Sequence, residues 1–149
     1  LAVAESCTGG MVAKSITDVP GASAIFAGGI VAYANAVKSA MLDVNPETLS
    51  EHGAVSAECA RKMVEGARRR FGAEAAIATT GIAGPDGGSA DKPVGLVFIA
   101  AAVPGRCEVR RYEFPGDRDQ VRHRATVAAL CLLRELLPPV AGENLPQWR

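Results

Sequence analysis

The chain has 149 residues, enough for one domain with a sizeable core. Sixteen basic and sixteen acidic residues cancel, so no overall field favours nucleic acid or an anionic membrane as a partner. Cys7, Cys59, Cys107 and Cys131 stand far apart, and no signal peptide precedes them; they read as reduced thiols of a cytoplasmic protein, not as a disulfide framework or zinc site. His52 and His123 are too isolated for a metal site, and no apolar run reaches membrane-spanning length uninterrupted.

Leu1 to Ser6 reads as a buried strand that begins abruptly, which points to a missing segment upstream of it. Ala4-Glu5-Ser6-Cys7-Thr8-Gly9-Gly10 then turns it into a short helix from Gly9 to Thr17, ended by Asp18-Val19-Pro20-Gly21. Glycines in such a turn let a ligand approach backbone N–H groups, which can receive a phosphate or a developing oxyanion, with Ser6 at the mouth. The plainer reading is a helix N-cap in which Ser6 or Thr8 satisfies an orphan N–H.

Ala24 to Tyr33 reads as a strand whose paired Gly28-Gly29 predict a bulge or a close backbone approach. At a sheet edge it could pair with another subunit, so a homo-oligomer, by preference a dimer, is expected. Asn35 to Leu42 fits a short helix carrying Lys38, and Pro46 opens another, capped by Asn45 and followed by Gly53. Ser56 to Phe71 is the clearest helix, with Ala60, Met63, Val64, Ala67 and Phe71 on one face and Arg61, Lys62, Glu65, Arg68 and Arg69 on the other. Arg68-Arg69-Arg70 reads as its solvated end.

A strand over Ala75 to Thr79 runs into the long loop Thr80 to Ser89, of a length that is usually functional or disordered. Val94 to Val103 reads as a buried strand, turned by Pro104-Gly105-Arg106 into Glu108 to Phe114 as an antiparallel hairpin. Asp117 caps the last helix, Gln120 completes a capping-box pattern, and Val121, Ala125, Ala128, Leu132 and Leu136 supply the buried stripe. Pro138-Pro139 stops it, and the remainder reads as a poorly ordered tail. Strand–helix units followed by a hairpin and a helix imply an α/β fold, a three-layer α/β/α sandwich with a mostly parallel sheet. Ligands of such sheets sit beyond the carboxyl ends of the parallel strands, where Ser6–Gly10, Thr79–Gly84 and the Asp117-Arg118 helix start would converge.

A serine nucleophile needs a base, and neither histidine is well placed. A buried, neutral lysine can serve, because desolvation lowers its pKa. Lys38 is the best candidate, with Val37 and Met41 as its apolar surround; by pattern alone it is more simply an exposed lysine on a short helix. Lys14 points away, and Lys92 could reach an anion. Arg118 and Arg122 share one helix face and fit either a phosphate clamp or solvated charge. Asp86 suits a turn better than a metal.

These motifs carry a family resemblance. Ala4 to Gly10, Gly81-Ile82-Ala83-Gly84-Pro85-Asp86-Gly87-Gly88 with Lys92-Pro93-Val94-Gly95, Gly116-Asp117-Arg118 with Val121-Arg122, and His52-Gly53-Ala54-Val55-Ser56 resemble the ordered motifs of the CinA C-terminal domain family. The resemblance implies one amidase domain over residues 1–137 with a tail over 138–149, and a five-stranded mixed sheet. It implies a nicotinamide-nucleotide amidase that hydrolyses nicotinamide mononucleotide, without metal or other cofactor. On it, Ser6 is the nucleophile, Lys38 the base, and Tyr33 a further catalytic residue. Thr8, Gly9, Gly10, Thr80, Gly81, Ala83, Gly84, Arg118 and Arg122 are the expected substrate-binding residues, with Thr8-Gly9-Gly10 N–H groups as oxyanion donors. The alternative is a non-catalytic nucleotide-binding regulatory module. A phosphotransferase fits poorly, since the chain has no Gly-x-x-x-x-Gly-Lys-[Ser/Thr] loop. The chain departs from the family pattern in lacking the helix that usually precedes the first strand, and in carrying Ala34 and Ala36 where some relatives are more polar.

Overall fold

The computed structural model describes residues 1–139; the expected tail falls, from Val140 on, outside them. One sheet has the order β2-β1-β3-β4-β5, with β1 Ala2–Glu5, β2 Gly28–Val31, β3 Ala76–Gly81, β4 Leu96–Val103 and β5 Arg106–Glu113. β1 pairs in parallel with β2 (Ala2 opposite Gly28) and with β3 (Ala2 opposite Ala76). β4 runs antiparallel to both β3 and β5, so it alone opposes the common direction. Helices α1 (Met11–Thr17) and α5 (Arg118–Leu136) cover one face. Helices α2 (Asn35–Leu42), α3 (Pro46–Glu51) and α4 (Ala57–Phe71) cover the other. The sandwich is three-layered and its sheet mixed.

Strand alternation sorts residues between the two faces by size. Val3, Ile77, Val97, Ile99 and Ala101 face α1 and α5, where they meet Val12, Ile16, Val121, Ala125 and Leu132. The opposite face of the same strands is mostly alanine, Ala2, Ala4, Ala76, Ala78, Ala100 and Ala102, with Phe98 at one end of β4. That bare surface lets α4 sit close to the sheet through Ala60, Met63, Val64 and Ala67. Ser56 caps α4, its Oγ accepting from Cys59 N at 3.1 Å, and Gly72 ends it in the left-handed region at φ 59°. At the start of α5, Asp117 and Gln120 form both halves of the capping box.

Several expected boundaries move. The strand expected over Ala24 to Tyr33 shrinks to Gly28–Val31, because Ala22–Ala24 form a 3-10 turn and Phe26 N returns to Ala22 O at 2.8 Å. Its glycines mark a close approach, not a bulge. Register with β1 is unbroken, and a Cβ on Gly29 would lie 2.4 Å from the Val3 side chain. β2 is an edge strand of the sheet. Gly9 and Gly10 lie outside α1, as left-handed turn residues at φ 59° and 98°. Thr80 and Gly81 belong to β3, not to the loop. In α5 the fully buried stripe runs through Ala129, whereas Ala128 is only half-buried.

Gly66 fixes how α2 meets α4, since a Cβ there would lie 2.0 Å from the Leu42 carbonyl oxygen. Alanine at an ordinary helix position stabilises, by about 1 kcal/mol over glycine. Gly66→Ala is expected to do the reverse and to destabilise by about 2 kcal/mol, because backbone must move to admit the methyl. Urea unfolding of the two proteins measures the sign.

Candidate active site

β1 delivers the central turn. Ser6 follows its last residue, and Ser6 N donates to Thr79 O of β3 at 3.0 Å. Chain order places β2 on one side of β1 and β3 on the other, so the sheet reverses direction of winding at β1. A crevice opens at the carboxyl ends of strands at such a point. Ser6 stands in it.

Lys38 comes from α2 and is 1 % exposed. Its Nζ lies 2.8 Å from Ala32 O, 3.1 Å from Tyr33 O and 3.3 Å from Ser6 Oγ. Burial holds its pKa below 10.5, opposed by the nearby Cys59 and Cys7 thiols and the Tyr33 phenol. Its three acceptors match the three N–H donors of an ammonium; on losing one proton the amine would keep the two carbonyl bonds and turn its lone pair to the Ser6 hydroxyl. The exposed lysine of the plain sequence reading is not what is found. Nor does Met41 shield it, for Met41 lies at the surface with its sulfur 3.9 Å from Arg70. Lys14 points away as expected and pairs with Asp18 at 2.6 Å.

The glycine turn is already occupied. Glu5, 1 % exposed, accepts from Gly10 N at 2.9 Å, Val12 N at 3.1 Å and Ala13 N at 2.8 Å. Gly9 N donates to Ser6 O at 3.1 Å. The N–H groups of Gly9 and Gly10 therefore have partners within the protein and are not free for an oxyanion. Those of Cys7 and Thr8 are different: they lean on the Cys7 sulfur, a weak acceptor. That thiol is buried and pushed up to about 12, mainly by desolvation. It is an inert neighbour of Ser6.

The two arginines divide. Arg122 turns inward, with Nε donating to Cys7 O at 3.2 Å and Nη2 to Thr8 O at 3.0 Å. Arg118 lies across the mouth: Nη1 donates to Gly84 O at 2.9 Å and Nη2 to Tyr33 Oη at 3.1 Å. Tyr33 is 59 % exposed, so its ring and the Arg118 guanidinium bonded to it face solvent, while its backbone carbonyl holds Lys38. Thr80 is buried, its hydroxyl donating to Ala54 O at 2.6 Å. Gly81 pairs with Val97 in the β3–β4 ladder, and Ala83 packs in the α1–α5 core. Of the central loop, the Gly84 carbonyl lies nearest to the Arg118 clamp. Lys92 reaches the His52 carbonyl at 2.7 Å. Among the described residues no cluster of His, Cys, Asp or Glu could hold a metal ion, and no helix is long and apolar enough to cross a membrane.

Sequence reasoning missed Glu5 and the inward role of Arg122. The available signal was a carboxylate in an otherwise apolar strand, within eight residues of a helix start.

Fold and site together define an α/β/α sandwich carrying a serine–lysine pair at the carboxyl edge of a mixed sheet. The family model described as CinA C-terminal domain matches residues 1–137, and the chain belongs to that family. It is 53 % identical over 137 residues to a CinA-like protein of Geotalea uraniireducens and 55 % identical to one of Geobacter sulfurreducens, matching 92 % of this chain and 33 % of each relative. The chain thus spans about a third of the length of the curated relatives it matches. Among solved structures it resembles the competence/damage inducible protein CihA of Agrobacterium tumefaciens (TM-score 0.89, 44 % identity, 91 % of this chain and 83 % of that one). It also resembles a competence-damaged protein (CinA) superfamily protein of Escherichia coli (TM-score 0.88, 34 % identity, 91 % and 79 %).

A lysine whose pKa is lowered by burial leaves a signature in stability. Below its depressed pKa both states hold the proton; from there up to 10.5 only the unfolded chain does, so stability rises with pH. Comparison with Lys38→Met isolates this. The unfolding free energy of wild type minus that of the variant is expected to increase as pH approaches 10.5, measured by urea titrations. A difference independent of pH would mean that folded Lys38 keeps its proton.

Proposed function

We propose that the chain is the amidase part of a pyridine-nucleotide hydrolase, converting nicotinamide mononucleotide and water into nicotinate mononucleotide and ammonia. The observation that carries this reading is the buried Lys38 amine 3.3 Å from Ser6 Oγ, anchored by two carbonyls. Lys38 takes the Ser6 proton as Oγ attacks the carboxamide carbon. The tetrahedral oxyanion is received by the N–H groups of Cys7 and Thr8, in place of the Gly9 and Gly10 donors that Glu5 and Ser6 O occupy; such a donor is worth about 3 kcal/mol. The Lys38 ammonium returns its proton to the amide nitrogen, the C–N bond breaks, and ammonia leaves an acyl ester on Ser6. Water, deprotonated by Lys38, then cleaves the ester and releases the carboxylate product.

Substrate is held at the mouth. Arg118 offers its guanidinium to the phosphate, and the exposed Tyr33 ring lies beside it to receive an aromatic or ribosyl face. Gly84 orients the arginine through its carbonyl. Arg122, with Nε and Nη2 on carbonyls, shapes the turn.

Ammonia release from nicotinamide mononucleotide by wild type, Ser6→Ala and Arg118→Ala tests the assignment. Wild type turns over and Ser6→Ala does not, while still binding the nucleotide. Arg118→Ala raises KM about tenfold or more, the loss of a charged hydrogen bond, with a smaller change in kcat. Turnover falls as pH drops below the depressed Lys38 pKa, because protonation removes the base. Release by Ser6→Ala would remove Ser6 from its role, and binding without release by wild type would favour a nucleotide-binding regulatory module.

A further inference from the structure

We propose that Glu5, acting through a line of two threonine hydroxyls, is the positioning residue that holds the Ser6 turn in its reactive shape. The proton count fixes the direction of the line. Thr8 Oγ1 gives its only hydrogen to Glu5 Oε2 at 2.7 Å. The 2.7 Å contact between Thr8 Oγ1 and Thr79 Oγ1 must then be donated by Thr79. Hydrogen bonds thus run from Thr79 on β3, through Thr8 in the turn, to Glu5 at the end of β1.

Glu5 is the sink of this line and of three backbone N–H groups from Gly10, Val12 and Ala13. Among the described residues no lysine, arginine or histidine pairs with it, so its charge is met by hydrogen-bond donors alone. The carboxylate occupies the orphan donors at the start of α1 as an internal anion.

The turn is therefore clamped from two sides. Arg122 holds the carbonyls of Cys7 and Thr8, and Glu5 with Thr79 holds the Thr8 side chain. In a trans peptide the N–H points opposite to the carbonyl. Pinning Cys7 O therefore turns the Thr8 N–H away from Arg122, and pinning the Thr8 hydroxyl fixes the rotation of the residue that carries it. Thr8 touches no reacting atom through its hydroxyl. Its effect passes through the backbone.

Thr8→Ser and Thr8→Val separate this from packing, since serine keeps the hydroxyl and loses the methyl, while valine does the opposite. The inference rests on the amidase reading only for its turnover assay, so the rate of Ser6 labelling by a fluorophosphonate is measured alongside ammonia release. Thr8→Ser is expected to stay within about threefold of wild type in both readouts. Thr8→Val is expected to lose 30-fold or more in kcat and in labelling rate, with KM within about threefold and an unchanged circular dichroism spectrum. Should Thr8→Val fail to fold, Thr79→Val carries the test, with an expected loss of about tenfold in both rates.

Valine variants as fast as wild type, or Thr8→Ser as slow as Thr8→Val, would overturn the proposal. Nicotinamide mononucleotide left intact by wild type, with Ser6 labelling still following the hydroxyl, would sink the amidase reading and uphold the relay. A wild-type Ser6 that neither labels nor turns over would overturn both.

Discussion

The structure depends on one unfavourable act, the burial of a lysine. An amine taken out of water loses solvation that only hydrogen bonds can replace. Lys38 finds them in Ala32 O and Tyr33 O, two carbonyls left unpaired where the chain leaves β2. The edge position of β2 matters here, because a longer strand would turn those carbonyls toward a neighbour. Short as it is, β2 ends where Lys38 needs acceptors. Burial lowers the pKa of Lys38 while the two carbonyls hold the amine in place, 3.3 Å from Ser6 Oγ.

Everything on that face of the sheet serves the approach. Six alanines on β1, β3 and β4 let α4 settle close, and Gly66 lets the end of α2 settle on α4. Cys59, fully buried on α4, adds a small apolar wall beside the amine. Larger side chains on the alanine face would lift α4 and α2 and carry Lys38 away from the crevice. The opposite face, built from valine, isoleucine and leucine, has a different task. It anchors α1 and α5, whose N-terminal ends supply the turn and the two arginines.

How much of this could be read from the residues follows from the range of the causes. The periodicity of α4, the Asp117–Gln120 box and the Val103–Arg106 hairpin turn are local, and each was legible. The strand around Gly28 was not, because an apolar run with glycines looks extended whether or not a partner strand is in register. Lys38 was legible only as a candidate: its neighbours along the chain do not bury it, and the residues that do, such as Cys59, lie a helix away. The family motifs named Ser6 and Lys38. They did not say that Glu5 fills the glycine turn, nor that Arg122 faces inward, since both depend on donors and acceptors brought together from β1, β3 and α5.

Two nucleophiles stand side by side in the turn, and the structure distinguishes them. Cysteine is intrinsically the better one, but only as a thiolate. Cys7 is buried, and the Glu5 carboxylate adds to the desolvation that holds its thiol protonated near 12; the two N–H groups against its sulfur and the nearby Lys38 only partly offset this. Serine needs no standing negative charge. It needs a base at the moment of attack, and Lys38 is placed for that. A buried carboxylate next to the site thus does two things at once: it orders the turn that carries Ser6, and it disfavours the anion that would compete with it. A serine beside a lysine whose charge burial disfavours is the pair that such a site tolerates, which is why hydroxyl chemistry, and not thiol chemistry, is the reading this arrangement supports.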